Sequence, residues 1–161
     1  MSELIKVGLA DYKTGKFPDS LITYGLGSCI GIAVFDSRTK LGGLAHIMLP
    51  DSSQARATEN PAKFADKCLP IMITELLNKG ASKANMQAKI AGGAQMFALN
   101  KATDIMRIGE RNEESVRATL KSLNIPIIAS DTGGNYGRTV ELSLETGKFK
   151  IKTINKGEKE I

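Results

Sequence analysis

Tryptophan is absent, histidine occurs once and cysteine twice in this chain of 161 residues. Each scarcity removes a class of function. With aromatic residues at only 5%, a platform of stacked bases such as RNA recognition needs has no material. One histidine and two distant cysteines do not make a zinc site of the usual Cys/His spacing, so no metal is expected. No apolar run approaches the roughly 20 residues of a membrane span. The opening MSELIKVGLADYK lacks the basic start, apolar stretch and cleavage site of a secretory signal, so the expectation is a cytoplasmic chain. In that reducing compartment Cys29 and Cys68 are expected to be free thiols. The net charge is +5, from 22 Lys and Arg against 17 Asp and Glu. These cations are spread along the chain, without a run dense enough for nucleic acid or for insertion into a membrane.

What remains is ordinary globular material, 42% hydrophobic and 24% charged. By the prior of roughly 100–200 residues per domain, residues 1–161 form one domain. Leu4–Tyr12 and Leu21–Leu26 read as β segments separated by TGKFPDS. Ser28–Phe35 and Leu41–Leu49 follow as strands of a hairpin about Asp36–Lys40. Asn60-Pro61 opens a helix, with Phe64, Cys68, Ile71, Met72 and Leu76 on one apolar face and Gly80 at its end. Ala88–Ala91 is a buried strand running into Gly92-Gly93. A second helix is expected from near Asn112, with Val116, Leu120 and Leu123 inward. Ile125–Ser130, a Gly-rich turn over residues 131–137 and a hairpin of Arg138–Leu144 with Lys148–Ile154 complete the chain. The charged tail after Asn155 reads as frayed. Strands outnumber helices and are mostly hairpin-linked, which makes the class α+β: a mixed, largely antiparallel sheet with two main helices packed on it.

Chemistry has few places to live. The glycines of Gly25-Leu26-Gly27-Ser28-Cys29-Ile30-Gly31 fall as G-x-G-x-x-x-G with no helix after them, so the dinucleotide and Walker fingerprints both fail. No organic cofactor is expected. The same segment does place a thiol in a turn of small residues, where backbone N–H groups around Gly27 and Ser28 are open to a developing oxyanion. His46 follows Cys29 by 17 residues, and the two share a midpoint close to the centre of the hairpin loop. They should therefore face each other across the ladder, lowering the thiol pKa and putting a base beside a nucleophile. By default a cysteine in an apolar strand is an inert small hydrophobe, and a histidine between Ala45 and Ile47 is a core residue. Only the hairpin geometry sets the pair against those readings. Cys68, on a helix face, stays a packing residue. Gly92, Gly93, Gly133 and Gly134, with Asn135 in the same turn, are plain turn residues or the walls of a shallow substrate groove.

The segments TYGLGSCIG at 23–31 and GGLAHIMLP at 42–50 resemble the signature of the CheD family of chemoreceptor glutamine deamidases. KIAGGAQMF at 89–97, IGERN at 108–112 and DTGGNYGR at 131–138 are similar to further family segments. The resemblance implies a layered α/β sandwich sharing its catalytic geometry with a bacterial deamidating toxin, and a triad of Cys29, His46 and Thr23. It implies a protein-glutamine glutaminase that converts selected glutamines of methyl-accepting chemotaxis receptors to glutamates with release of ammonia. It also implies two partners: the cytoplasmic helices of those receptors and a CheC-type phosphatase. The alternative it leaves open is a protein that mainly binds and stimulates the phosphatase.

Overall fold

A computed structural model of the protein describes residues 2–53, 59–96 and 107–161. Phe97, which closes one of the family-like segments, lies outside the described residues. Ten strands divide between two sheets of five. The central sheet runs in the order β2 (Asp11–Lys16), β5 (Leu41–Ile47), β4 (Ile30–Asp36), β6 (Met86–Gly92) and β7 (Ile127–Thr132). The second runs β1 (Leu4–Lys6), β3 (Ser20–Leu26), β8 (Arg138–Ser143), β9 (Phe149–Thr153) and β10 (Gly157–Glu160). Among the described strands, only the β1/β3 and β6/β7 pairs are parallel. The helices α1 (Ala65–Asn78) and α2 (Ile108–Ser122) cover the outer face of the central sheet. The α+β class expected from the sequence is found, with its strands in two sheets where one was expected.

The layering follows from side-chain alternation in β4. Ile30, Ile32 and Val34 point to the helices and meet Cys68, Leu69, Met72, Leu76, Val116 and Leu120. Ala33, on the opposite parity, points to the second sheet with Leu44 and meets Leu21, Val140, Leu142 and Phe149. Because both faces are covered, β4 reads as a nearly continuous apolar run rather than an alternating one. Burying each Leu, Ile or Phe side chain contributes about 1.5–3 kcal/mol.

Local chemistry sets the boundaries. Asn60 Oδ1 accepts the Ala62 N–H at 3.0 Å and Pro61 opens a single 3₁₀ turn, after which α1 begins and runs through Pro70. Gly80, at φ +112°, follows its end. Ile71, expected on the apolar face, is 40% exposed and Leu69 takes the buried position. The second helix starts at Ile108 rather than near Asn112, so Glu110 lies in its first turn. The tail after Asn155 is not frayed: β10 pairs with β9 and aligns Glu158 with Lys150 and Lys152. No helix among the described residues is long and apolar enough to cross a membrane.

Candidate active site

His46 lies on β5 directly opposite Gly31, and its side chain enters the space between the sheets. It is 2% exposed. Thr23, fully buried on β3, meets it from the second sheet, with 2.8 Å between Thr23 Oγ1 and His46 Nδ1. The Thr23 hydroxyl donates its only proton to the Val7 carbonyl at 2.8 Å. It must therefore accept from the ring, which puts the imidazole proton on Nδ1 and leaves Nε2 with a bare lone pair. Nε2 has no hydrogen-bond partner among the described residues. Burial lowers the ring's pKa from 6.5 to about 4, so the imidazole is neutral at physiological pH.

Cys29, half-buried, ends the turn that leads into β4 and rests on the core between the sheets. The register corrects the expected facing pair. Gly31, not Cys29, is opposite His46, and Cys29 is the diagonal neighbour on the same face. The expected drop in thiol pKa is corrected as well. Burial pushes the Cys29 thiol up, partly offset by a hydrogen bond from its own backbone N–H. Cys29 and His46 share a face, with no hydrogen bond between the thiol and Nε2. Cys68 is fully buried against the central sheet, and burial raises its thiol to about 12.

The turn carrying Cys29 is held by three consecutive carbonyls. Gly27 O accepts from Ala94 N at 2.9 Å, Ser28 O from Asn112 Nδ2 at 3.0 Å, and Cys29 O from Gly93 N at 2.9 Å. The Gly27 N–H is itself spent on Gly25 O at 3.1 Å. Gly27 therefore supports the turn, and of the two residues expected to face an oxyanion only Ser28 has an N–H with no main-chain acceptor among the described residues. Gly92 has φ +112°, and a Cβ there would stand 2.2 Å from the Cys29 carbonyl oxygen, so only glycine lets β6 approach so closely. Gly92 and Gly93 are buried, and Gly133 N bonds Gly92 O at 3.0 Å. Gly134 in turn accepts the Gln95 N–H at its carbonyl, so these glycines tie the loop over residues 131–137 to β6 and, through Gly93, to the Cys29 turn. Asn135 does reach a groove of about 510 Å³, which it lines with Gly25, Tyr136, Arg138, Lys152 and Lys156.

Two buried polar residues escaped the sequence reading. Asn112, fully buried at the start of α2, bridges Ser28 O and Met48 O. Arg138 pairs with Asp131 at 3.1 Å and stacks 4.4 Å over the Tyr136 ring. An i, i+4, i+8 inner face of Asn112, Val116 and Leu120 was the available signal for the first.

Residues 48–153 match the family model described as CheD chemotactic sensory transduction. The chain belongs to the CheD family. A Syntrophomonas wolfei protein named "Probable chemoreceptor glutamine deamidase CheD" is 54% identical over 99% of both chains. A Desulfitobacterium hafniense protein of the same name is 52% identical over the whole of both. These full-length relatives take in Thr23, Cys29 and His46, which precede the part matched by the CheD model. Among solved structures, the Bacillus licheniformis hypothetical protein YfiH aligns with a TM-score of 0.52 at 15% identity. It shares the fold over 78% of this CheD chain, which spans 51% of that protein.

Proposed function

We propose that this chain is a cytoplasmic, cysteine-dependent protein-glutamine deamidase acting on the cytoplasmic helices of chemoreceptors. The observation that carries the reading is His46 itself: a buried, neutral imidazole whose tautomer Thr23 sets, leaving a bare Nε2 on the face where Cys29 sits. The names of the relatives supply the substrate class.

The chemistry balances with these groups alone. The Cys29 sulfur attacks the carboxamide carbon of a glutamine side chain as its proton passes to His46 Nε2. Backbone N–H groups of Ser28 and Cys29 receive the oxyanion. Imidazolium then protonates the amide nitrogen, since an amide anion is too poor a leaving group, and ammonia departs from the thioester. A water, losing its proton to Nε2, attacks the thioester, and glutamate and the thiol are released. Thr23 holds the ring but has no charge to stabilise imidazolium, so modest turnover is expected.

A CheC-type phosphatase is the second partner we assign, on the family resemblance. Mass spectrometry of a receptor fragment incubated with the protein tests the function. Amide-to-acid conversion at glutamines with an intact chain and released ammonia supports it, whereas cleavage, cross-linking or no change overturns it.

A further inference from the structure

We infer that Asn112 is a positioning residue for the oxyanion site, aiming the Cys29 N–H by holding the carbonyl of Ser28. This rests on the deamidase reading above. Asn112 is fully buried on α2 and its Nδ2 reaches two carbonyls, Ser28 O at 3.0 Å and Met48 O at 2.9 Å. Both neighbours only accept, so the side-chain amide has one orientation that forms bonds. The Ser28 carbonyl and the Cys29 N–H belong to one planar trans peptide and point in opposite directions. Tying the carbonyl to the helix therefore turns the N–H away from it.

The neighbouring peptides follow the same rule. Ala94 N holds Gly27 O, which aims the Ser28 N–H, and Gly93 N holds Cys29 O. Neither the Ser28 nor the Cys29 N–H has a main-chain acceptor among the described residues. Two adjacent, outward-aimed donors form a concave anion site of the kind successive backbone amides make. Of the three tethers beneath it, Asn112 supplies the only one that is a side chain. A carbonyl that accepts a strong bond also polarises its peptide, which makes the opposite N–H a better donor. The second bond, to Met48, fixes the chain two residues beyond His46, so one amide sets both the nucleophile turn and the base strand. Asn112 Oδ1 is buried with no partner among the described residues, a cost that packing does not explain.

Asn112→Leu keeps the volume and removes the donors. On a receptor fragment its kcat should fall about 10²- to 10³-fold, the usual loss for one oxyanion donor, with KM little changed. Alkylation of Cys29 by iodoacetamide passes through no oxyanion, so its rate should stay near that of the unaltered protein. Leu120→Ala, buried further along α2, serves as the destabilised control and should keep its kcat. A kcat near the unaltered value, or an alkylation rate falling by the same factor as kcat, overturns the assignment. If Asn112→Leu does not fold, the unaltered protein carries the test. A peptide bearing an aldehyde in place of the glutamine carboxamide should add to Cys29, and the amide proton resonances of Ser28 and Cys29 should move downfield. Unmoved amides, or no adduct, overturn it. Ammonia release by the unaltered protein is scored separately, so a failed deamidase reading is not confused with a failed role for Asn112.

Discussion

His46 titrates in the open chain near pH 6.5 but in the fold at about 4, because burial penalises its charged form. Between those values the unfolded state holds the extra proton, so stability is full above about pH 6.5 and declines as pH falls towards 4. The ring's share of that loss is about 3 kcal/mol. His46→Gln should therefore flatten the acid slope of thermal stability between pH 6.5 and 4, and an unchanged slope would remove His46 as its source. The same shift keeps the base active in mild acid, so the acid limb of kcat/KM should lie near pH 4 and not near 6.5. At Cys29 burial raises the thiol, so iodoacetamide labelling should titrate above the ordinary thiol value. Cys29 should still label before Cys68, through exposure rather than ionisation, and equal labelling in the folded protein would count against the site. Cys29→Ala and His46→Ala should both abolish deamidation, while Cys68→Ala keeps it. Thr23→Val removes orientation only, and its kcat/KM should fall roughly 10- to 1000-fold, less than the ~10⁴ lost with a triad carboxylate. Normal kcat/KM in that variant would exclude Thr23 from the mechanism.

The hairpin of β4 and β5 is the element that made the site legible, and its loop explains the error in register. Asp36 belongs to the ladder, opposite Leu41, and its Oδ1 accepts the N–H groups of Arg38 and Thr39 at 2.9 and 3.2 Å. The loop is thus Ser37–Lys40, with Lys40 at φ +60°, and the axis of the hairpin lies one residue beyond the midpoint of Cys29 and His46. Parity survived the shift, so Cys29 and His46 stayed on one face. The division into two sheets had no comparable signal. β3 pairs with β8, more than 100 residues away, and nothing local in either strand marks its partner. The paired tail was hidden for another reason, since β10 is exposed and charged and gains its register from Glu158 opposite Lys152. Gly92 was read as a turn or a groove wall, whereas its role is close contact of β6 with the nucleophile turn. Gly92→Ala meets both the 2.2 Å clash with the Cys29 carbonyl and the positive φ, and should cost about 3 kcal/mol or more. In a chain of this size that lowers Tm by about 6–12 °C. A melting curve like that of the unaltered protein would show that the turn can retreat without strain.

At the scale of the molecule, the proposed triad draws on both layers: His46 comes from the central sheet, Thr23 from the second, and Cys29 from the turn joining β3 to β4. The proposed reactive face lies where that turn reaches the surface, beside the exposed side chains of Tyr24 and Met96. A glutamine presented on a receptor helix must reach Cys29 there, and so must any partner that covers the turn. If the proposed CheC-type phosphatase binds over this face, it excludes the receptor, and the two ligands then couple by mass action alone. The phosphatase should therefore act as a competitive inhibitor of deamidation, raising apparent KM at unchanged kcat. Conversely, a receptor fragment in excess should displace labelled phosphatase from the protein, and Tyr24→Ala should weaken both associations together. Saturating phosphatase that lowers kcat while the receptor fragment stays bound would place the two partners on different faces and leave the coupling to a change of conformation.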